Sequence, residues 1–212
     1  MVPSGRFSGQ HKHPESMADP GAWFPLAYRR TGTLEWYHPR TVEEIPVALN
    51  ASTDLSYSPA EVLATLTDRG FAEHITAIVG GTLKEFTLSG DTSGAFELST
   101  VRAVPTDRAP EMARKFVGAT VDVTQKESWS APGTDGSRSA QVAVTVAGIP
   151  VNVAATQRVD ATDAGSRLTL DGQVTSSIPF LGGKIASAAE PFISKALKLQ
   201  ADQLAVWNTR SA

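Results

Sequence analysis

From Ala48 onward, apolar and polar residues fall into short regular runs separated by turn residues. "ALNASTDLSYS" alternates as a strand does and ends where Ser58 can cap a helix. Pro59 suits the first helical position, and Glu61 at the third completes a capping box, leaving Val62, Leu63 and Leu66 for the core. Asp68 begins a second short helix through Phe71 and Ile75, which Gly80-Gly81 closes. Six further runs read as strands: "TLKEFTLSG", "GAFELSTVRAV", "ATVDVTQKESWS", "SRSAQVAVTVA", "VNVAATQRV" and "SRLTLDGQVTSSI". Gly90-Asp91, the stretch Pro132 to Gly136, Gly148 and Asp163-Ala164-Gly165 mark hairpin connections, so neighbouring runs should pair antiparallel. In "RAPEMARKFVG", Met112, Phe116 and Val117 predict a short helix inserted between two strands and closed by Gly118.

The period then changes. Ile185, Ala188, Phe192, Ala196, Leu199, Gln203 and Val206 recur at spacings of three and four, with Ile193, Leu204 and Trp207 widening the face. A helix from Gly183 to Trp207 would be about 35 Å long, enough to cross a small sheet. Pro191 predicts a bend or a restart near Glu190, because it cannot donate to residue 187 and crowds that carbonyl. Gly182-Gly183-Lys184 is not a phosphate loop, since Ile178 and Ile185 occupy the places that require a glycine and a Ser or Thr. A sheet of this size buries one face, and the terminal helix is the element large enough to cover it. A twisted sheet closed by one helix is expected to leave a pocket between them.

Residues 1–46 behave differently. Six prolines, from Pro3 to Pro46, interrupt any regular period, and Trp23, Phe24, Tyr28, Trp36 and Tyr37 make the stretch aromatic. It reads either as a docking segment or, preferably, as an irregular extension or leader ahead of a single domain at 47–212. The 212 residues carry a net charge of -3, with no clustered basic face of the kind nucleic-acid binding needs. No run approaches the roughly 18 apolar residues of a membrane span, and the opening residues lack the basic-then-apolar layout expected of a secretion signal. The absence of cysteine rules out disulfides and thiolate chemistry and suits a reducing, cytoplasmic setting.

The order of elements resembles the helix-grip fold of the START/Bet v 1-like superfamily, which includes polyketide cyclases and lipid-transfer domains. More narrowly, "STDLSYSPAEVLATLTD", "ESW" at 127–129, "GIPVNV" at 148–153 and "IPFLGGKI" at 178–185 are similar to an actinobacterial branch of that superfamily classed as a domain of unknown function. The resemblance covers about Ala48 to Arg210. It implies an α+β fold: a curved antiparallel sheet of about seven strands round a long C-terminal helix, with two short helices after the first strand. It also implies a cavity for a hydrophobic small molecule and brings no catalytic residue with it. Its motifs are a helix start and a strand-to-helix corner, which concern fold more than chemistry.

Strand parity sorts the side chains that would face such a cavity. Val121, Val123, Gln125, Glu127 and Trp129 share one face of their run. With them should point Phe96, Leu98, Thr100 and Arg102; Val142, Val144 and Val146; Val151, Val153, Ala155 and Gln157; and Leu168, Leu170 and Val174. The candidate ligand-binding set is Phe96, Leu98, Thr100, Arg102, Val123, Gln125, Glu127, Trp129, Val144, Val153, Gln157 and Leu170, with Phe192 and Leu199 from the helix. Its polar members are Thr100, Arg102, Gln125, Glu127 and Gln157. A buried Glu127 could titrate high and act as an acid or base, or Arg102 and Glu127 could simply be solvated or paired near strand ends. His11, His13, His38 and His74 lack the neighbours a metal site needs, and no serine lies in a nucleophile turn. Three functions remain open: a cofactor-free binder of a lipid or polyketide-like molecule, a cyclase or dehydratase using Glu127, and an interaction module with a filled core.

Overall fold

The computed structural model describes residues 46–107, 118–177 and 182–210. The expected N-terminal extension, nearly all of "RAPEMARKFVG" and the start of "IPFLGGKI" lie outside them. Strand β1 (Val47–Leu55) leads to helices α1 (Pro59–Leu66) and α2 (Arg69–Ile78). Strands β2 (Thr82–Gly90), β3 (Phe96–Pro105), β4 (Thr120–Trp129), β5 (Arg138–Val146), β6 (Ile149–Thr162) and β7 (Gly165–Ser176) follow, and helix α3 (Gly182–Arg210) ends the described chain. The seven strands form one sheet in the order β1-β7-β6-β5-β4-β3-β2, and every neighbouring pair is antiparallel. This is the helix-grip arrangement expected from the sequence.

The local signals act as their chemistry dictates. Ser58 Oγ accepts from the Glu61 backbone N–H, while the Glu61 carboxylate accepts from the Ser58 N–H at 2.8 Å. Asp68 Oδ1 accepts from the Phe71 N–H at 2.8 Å and starts α2. Gly165 turns the chain from β6 into β7 at φ 141°, with a would-be Cβ only 2.3 Å from the Leu55 carbonyl oxygen, so a side chain has no place there.

Two expectations about α3 need correction. Of the bend or restart expected at Pro191, the restart does not occur: one helix runs through Glu190. Pro191 and Ser187 both lie on exposed positions, so water can satisfy the Ser187 carbonyl that the proline leaves without a donor. The buried stripe is also rotated from the expected one. Ala186, Ala201 and Leu204 are buried, with Ile193 and Trp207 packed against the core, whereas Phe192 is 48% exposed and Val206 41%. One residue along a helix is a turn of about 100°, which moves Phe192 out of the interface. Packing decides the rotation: Trp207 wedges edge-on against Phe71, with ring centroids 5.7 Å apart, and lies beside His74 at 5.2 Å. The two alanines let the helix backbone come close to the sheet. Leu199 is half-buried on the flank of this stripe.

The helix packs against β1 and β7, with α1 and α2 alongside it. Beneath lie the inward rungs of the sheet, each running directly across paired residues. One rung is Leu98–Glu127–Val142–Ala155–Gly172–Leu49, and the next is Phe96–Trp129–Ala140–Gln157–Leu170–Ala51.

Candidate functional site

All five polar residues assigned to the inner face by parity do turn inward. Thr100, Glu127 and Gln157 are buried, and Arg102 and Gln125 are half-buried. Four of them occupy β3 and β4, where cross-strand register places Thr100 opposite Gln125 and Arg102 opposite Val123. Arg102 Nη1 donates to Gln125 Oε1 at 2.9 Å. Gln125 Nε2 in turn donates to Glu127 Oε1, and Trp129 Nε1 donates to Glu127 Oε2 at 2.7 Å. The alternative of a paired Arg102 and Glu127 is therefore realised through an amide, with Gln125 linking cation to carboxylate.

Burial pushes the Glu127 carboxyl above its ordinary range, while the hydrogen bonds from Trp129 and Gln125 and the Arg102 charge pull the other way. Burial likewise lowers the Arg102 guanidinium, and the Glu127 charge partly restores it. Thr100 Oγ1 and Arg102 Nε are buried without a hydrogen-bond partner among the described residues.

A groove lies away from this relay, at the β1 edge beneath α3. Its volume is about 270 Å³, and it is walled on the sheet side by Ala51, Thr53, Leu168, Leu170 and Gln157. Ser194, Lys198, Gln200 and Ala201 of α3 form its other side. The rung Ala51–Leu170–Gln157 runs inward from the edge strand, so Gln157 stands about two strand spacings, roughly 10 Å, inside the sheet. A second depression, at Asp54, Thr162, Asp163 and Arg167, is walled by the exposed Arg167–Asp54 ion pair.

Of the candidate set, Gln157 and Leu170 line the groove. Phe96, Leu98, Thr100, Glu127, Trp129 and Val153 are buried in the packed interior, and Arg102, Val123, Gln125 and Val144 are half-buried. Phe192 is turned toward solvent. Ala51 and Thr53 were missed, although their alternation with Asn50, Ser52 and Asp54 carried the signal. Ser194, Lys198 and Ala201 had no comparable signal, because their exposure to the groove depends on the rotation of α3. Among the described residues no group of three or more His, Asp or Glu side chains is placed to hold a metal ion. No helix among them is long and apolar enough to cross a membrane.

A family model described as a protein of unknown function (DUF2505) matches residues 50–207. An uncharacterized protein of Mycobacterium tuberculosis is 25% identical over 140 residues, covering 64% of this chain and 80% of its own. Among solved structures, a protein of Thermus thermophilus aligns with a TM-score of 0.52 at 11% identity, over 78% of this chain and 99% of its own. Norcoclaurine synthase from Thalictrum flavum, solved with dopamine and hydroxybenzaldehyde, aligns at 0.47 and 13% identity, over 81% and 91%. At these identities the likeness concerns the fold alone.

Proposed function

The chain belongs to the DUF2505 family and has the Bet v 1-like helix-grip fold, and from that premise we propose that it binds a hydrophobic small molecule in the groove between β1, β7 and α3. The observation that carries this reading is the groove's construction. Leu168, Leu170, Ala51 and Ala201 supply apolar surface, and of the polar residues that line it Gln157 is the one that is buried, at the deep end. Covering about 200 Å² of ligand hydrocarbon would contribute about 5 kcal/mol before the cost of association is subtracted. No cofactor enters this reading, and the cysteine-free composition suits a cytoplasmic setting for it.

The enzymatic alternative draws less support. Both Glu127 oxygens already accept hydrogen bonds from the protein, and Glu127 is not part of the groove wall. A substrate would have to break the relay to use it. The filled-core alternative fits the interior near Phe96 and Trp129, whose rings stack at 6.0 Å, but leaves the groove without a purpose.

A neutral apolar fluorophore, N-phenyl-1-naphthylamine, tests the reading. Saturable enhancement is expected with the natural chain, together with at least tenfold weaker binding once Ala51→Phe or Thr53→Phe fills the groove in a variant that melts normally. Absence of saturable binding, or binding indifferent to both substitutions, would refute it.

A further inference from the structure

Gln157 is only 4% exposed, yet its side chain has no hydrogen-bond partner among the described residues. Its rung neighbours, Ala140 and Leu170, offer a carboxamide nothing but hydrocarbon. The amide instead faces the groove, where it can both donate and accept. The amide atoms are not sealed off, so water can hold them in the free groove, and a ligand that displaces that water must replace its hydrogen bonds.

The surrounding charges narrow what that something is. Lys198 is the one ionisable side chain on the groove wall among the described residues. It is 76% exposed and paired with Asp202 at 2.9 Å, so its charge sits in solvent and not beside the buried Gln157 amide. A carboxylate or ammonium carried in to Gln157 would be stripped of water and would meet no counter-charge. A hydroxyl or carbonyl loses far less and gains the amide. At about 270 Å³ the groove is at or just below the lower end of the range that holds drug-sized ligands, so it takes a small molecule or one end of a longer one.

Building on the binding reading above, we propose that the groove selects an uncharged amphipathic ligand whose buried end carries a hydroxyl or carbonyl hydrogen-bonded to Gln157, with its apolar body over Leu168 and Leu170. The Gln157 amide is then a specificity element. Leu168 and Leu170 contribute affinity without discriminating between head groups.

Three probes that share one body separate the terms: 4-butylphenol, butylbenzene and 4-butylbenzoate, each titrated by displacement of the fluorophore. The phenol should bind about tenfold more tightly than either of the others, the worth of one satisfied buried hydrogen bond. In Gln157→Leu, the gap between the phenol and butylbenzene should close to about twofold or less. Benzoate binding as tight as the phenol overturns the proposal, as does a phenol preference that survives in a folded Gln157→Leu variant. If that variant fails to fold, Gln157→Met replaces it, and the ranking on the natural chain decides in either case. Failure of all three probes to displace the fluorophore would remove the groove as their site, and this inference with it. Wrong order with good binding would remove this inference alone.

Discussion

Trp129 Nε1 donates a 2.7 Å hydrogen bond to Glu127 Oε2 from two residues further along the same face of β4. The indole can only donate, as can the Arg102 guanidinium at the other end of the relay. Gln125 must therefore turn its carbonyl to Arg102 and its N–H to Glu127, which has to accept from both sides. A carboxylate has two accepting oxygens; an amide has one. Glu127→Gln should leave one buried N–H facing another and cost about 1–3 kcal/mol, read by urea unfolding. Unchanged stability would show that the relay is not held in this direction.

The same residue should give the stability a pH dependence. Burial, the largest influence on Glu127, raises its carboxyl above 4.5 in the folded chain. The folded state then holds the proton more tightly than the unfolded state. The Glu127 contribution is fully present below 4.5 and is lost as pH rises through the higher folded value. The advantage of the natural chain over Glu127→Gln should shrink from acid toward neutral pH in paired unfolding curves. An advantage that grows with pH would mean that the hydrogen bonds and Arg102 outweigh burial.

The rotation of α3 predicts an inversion of the usual size rule. Leu204→Ala, at a fully buried position, should cost about 2–5 kcal/mol. Phe192→Ala removes the larger side chain from a 48% exposed position and should change stability by less than about 0.5 kcal/mol. Thermal melts of the two variants distinguish this stripe from the one that includes Phe192.

Gly172 lies in the rung beneath α3, where an added Cβ would come within 2.4 Å of both the Ala154 carbonyl oxygen and Ala155 Cβ. Backbone cannot yield as a flexible side chain would. Gly172→Ala should therefore destabilise by about 1–3 kcal/mol, measured by calorimetry.

At the start of α1, Ser58→Ala removes the hydroxyl half of the capping box and should cost about 1 kcal/mol in chemical denaturation. A neutral effect would mean that Pro59 and Glu61 suffice to begin the helix.

The seven strands, the caps at Ser58 and Asp68 and the inward direction of Thr100, Gln125, Glu127 and Gln157 were legible in the linear order of residues. Each depends on something local: a strand places successive side chains on opposite faces, and a cap acts within three residues. The face that α3 buries, the hydrogen bonds that join Arg102 to Trp129 through Gln125 and Glu127, and the groove that reaches Gln157 were decided only by tertiary structure. A helix with Phe192, Leu199 and Val206 near Ile193, Leu204 and Trp207 offers two apolar stripes about 100° apart, of similar transfer energy. The choice between them falls to whichever side chains fit Phe71 and the strands beneath, and that fit exists only once the sheet has formed.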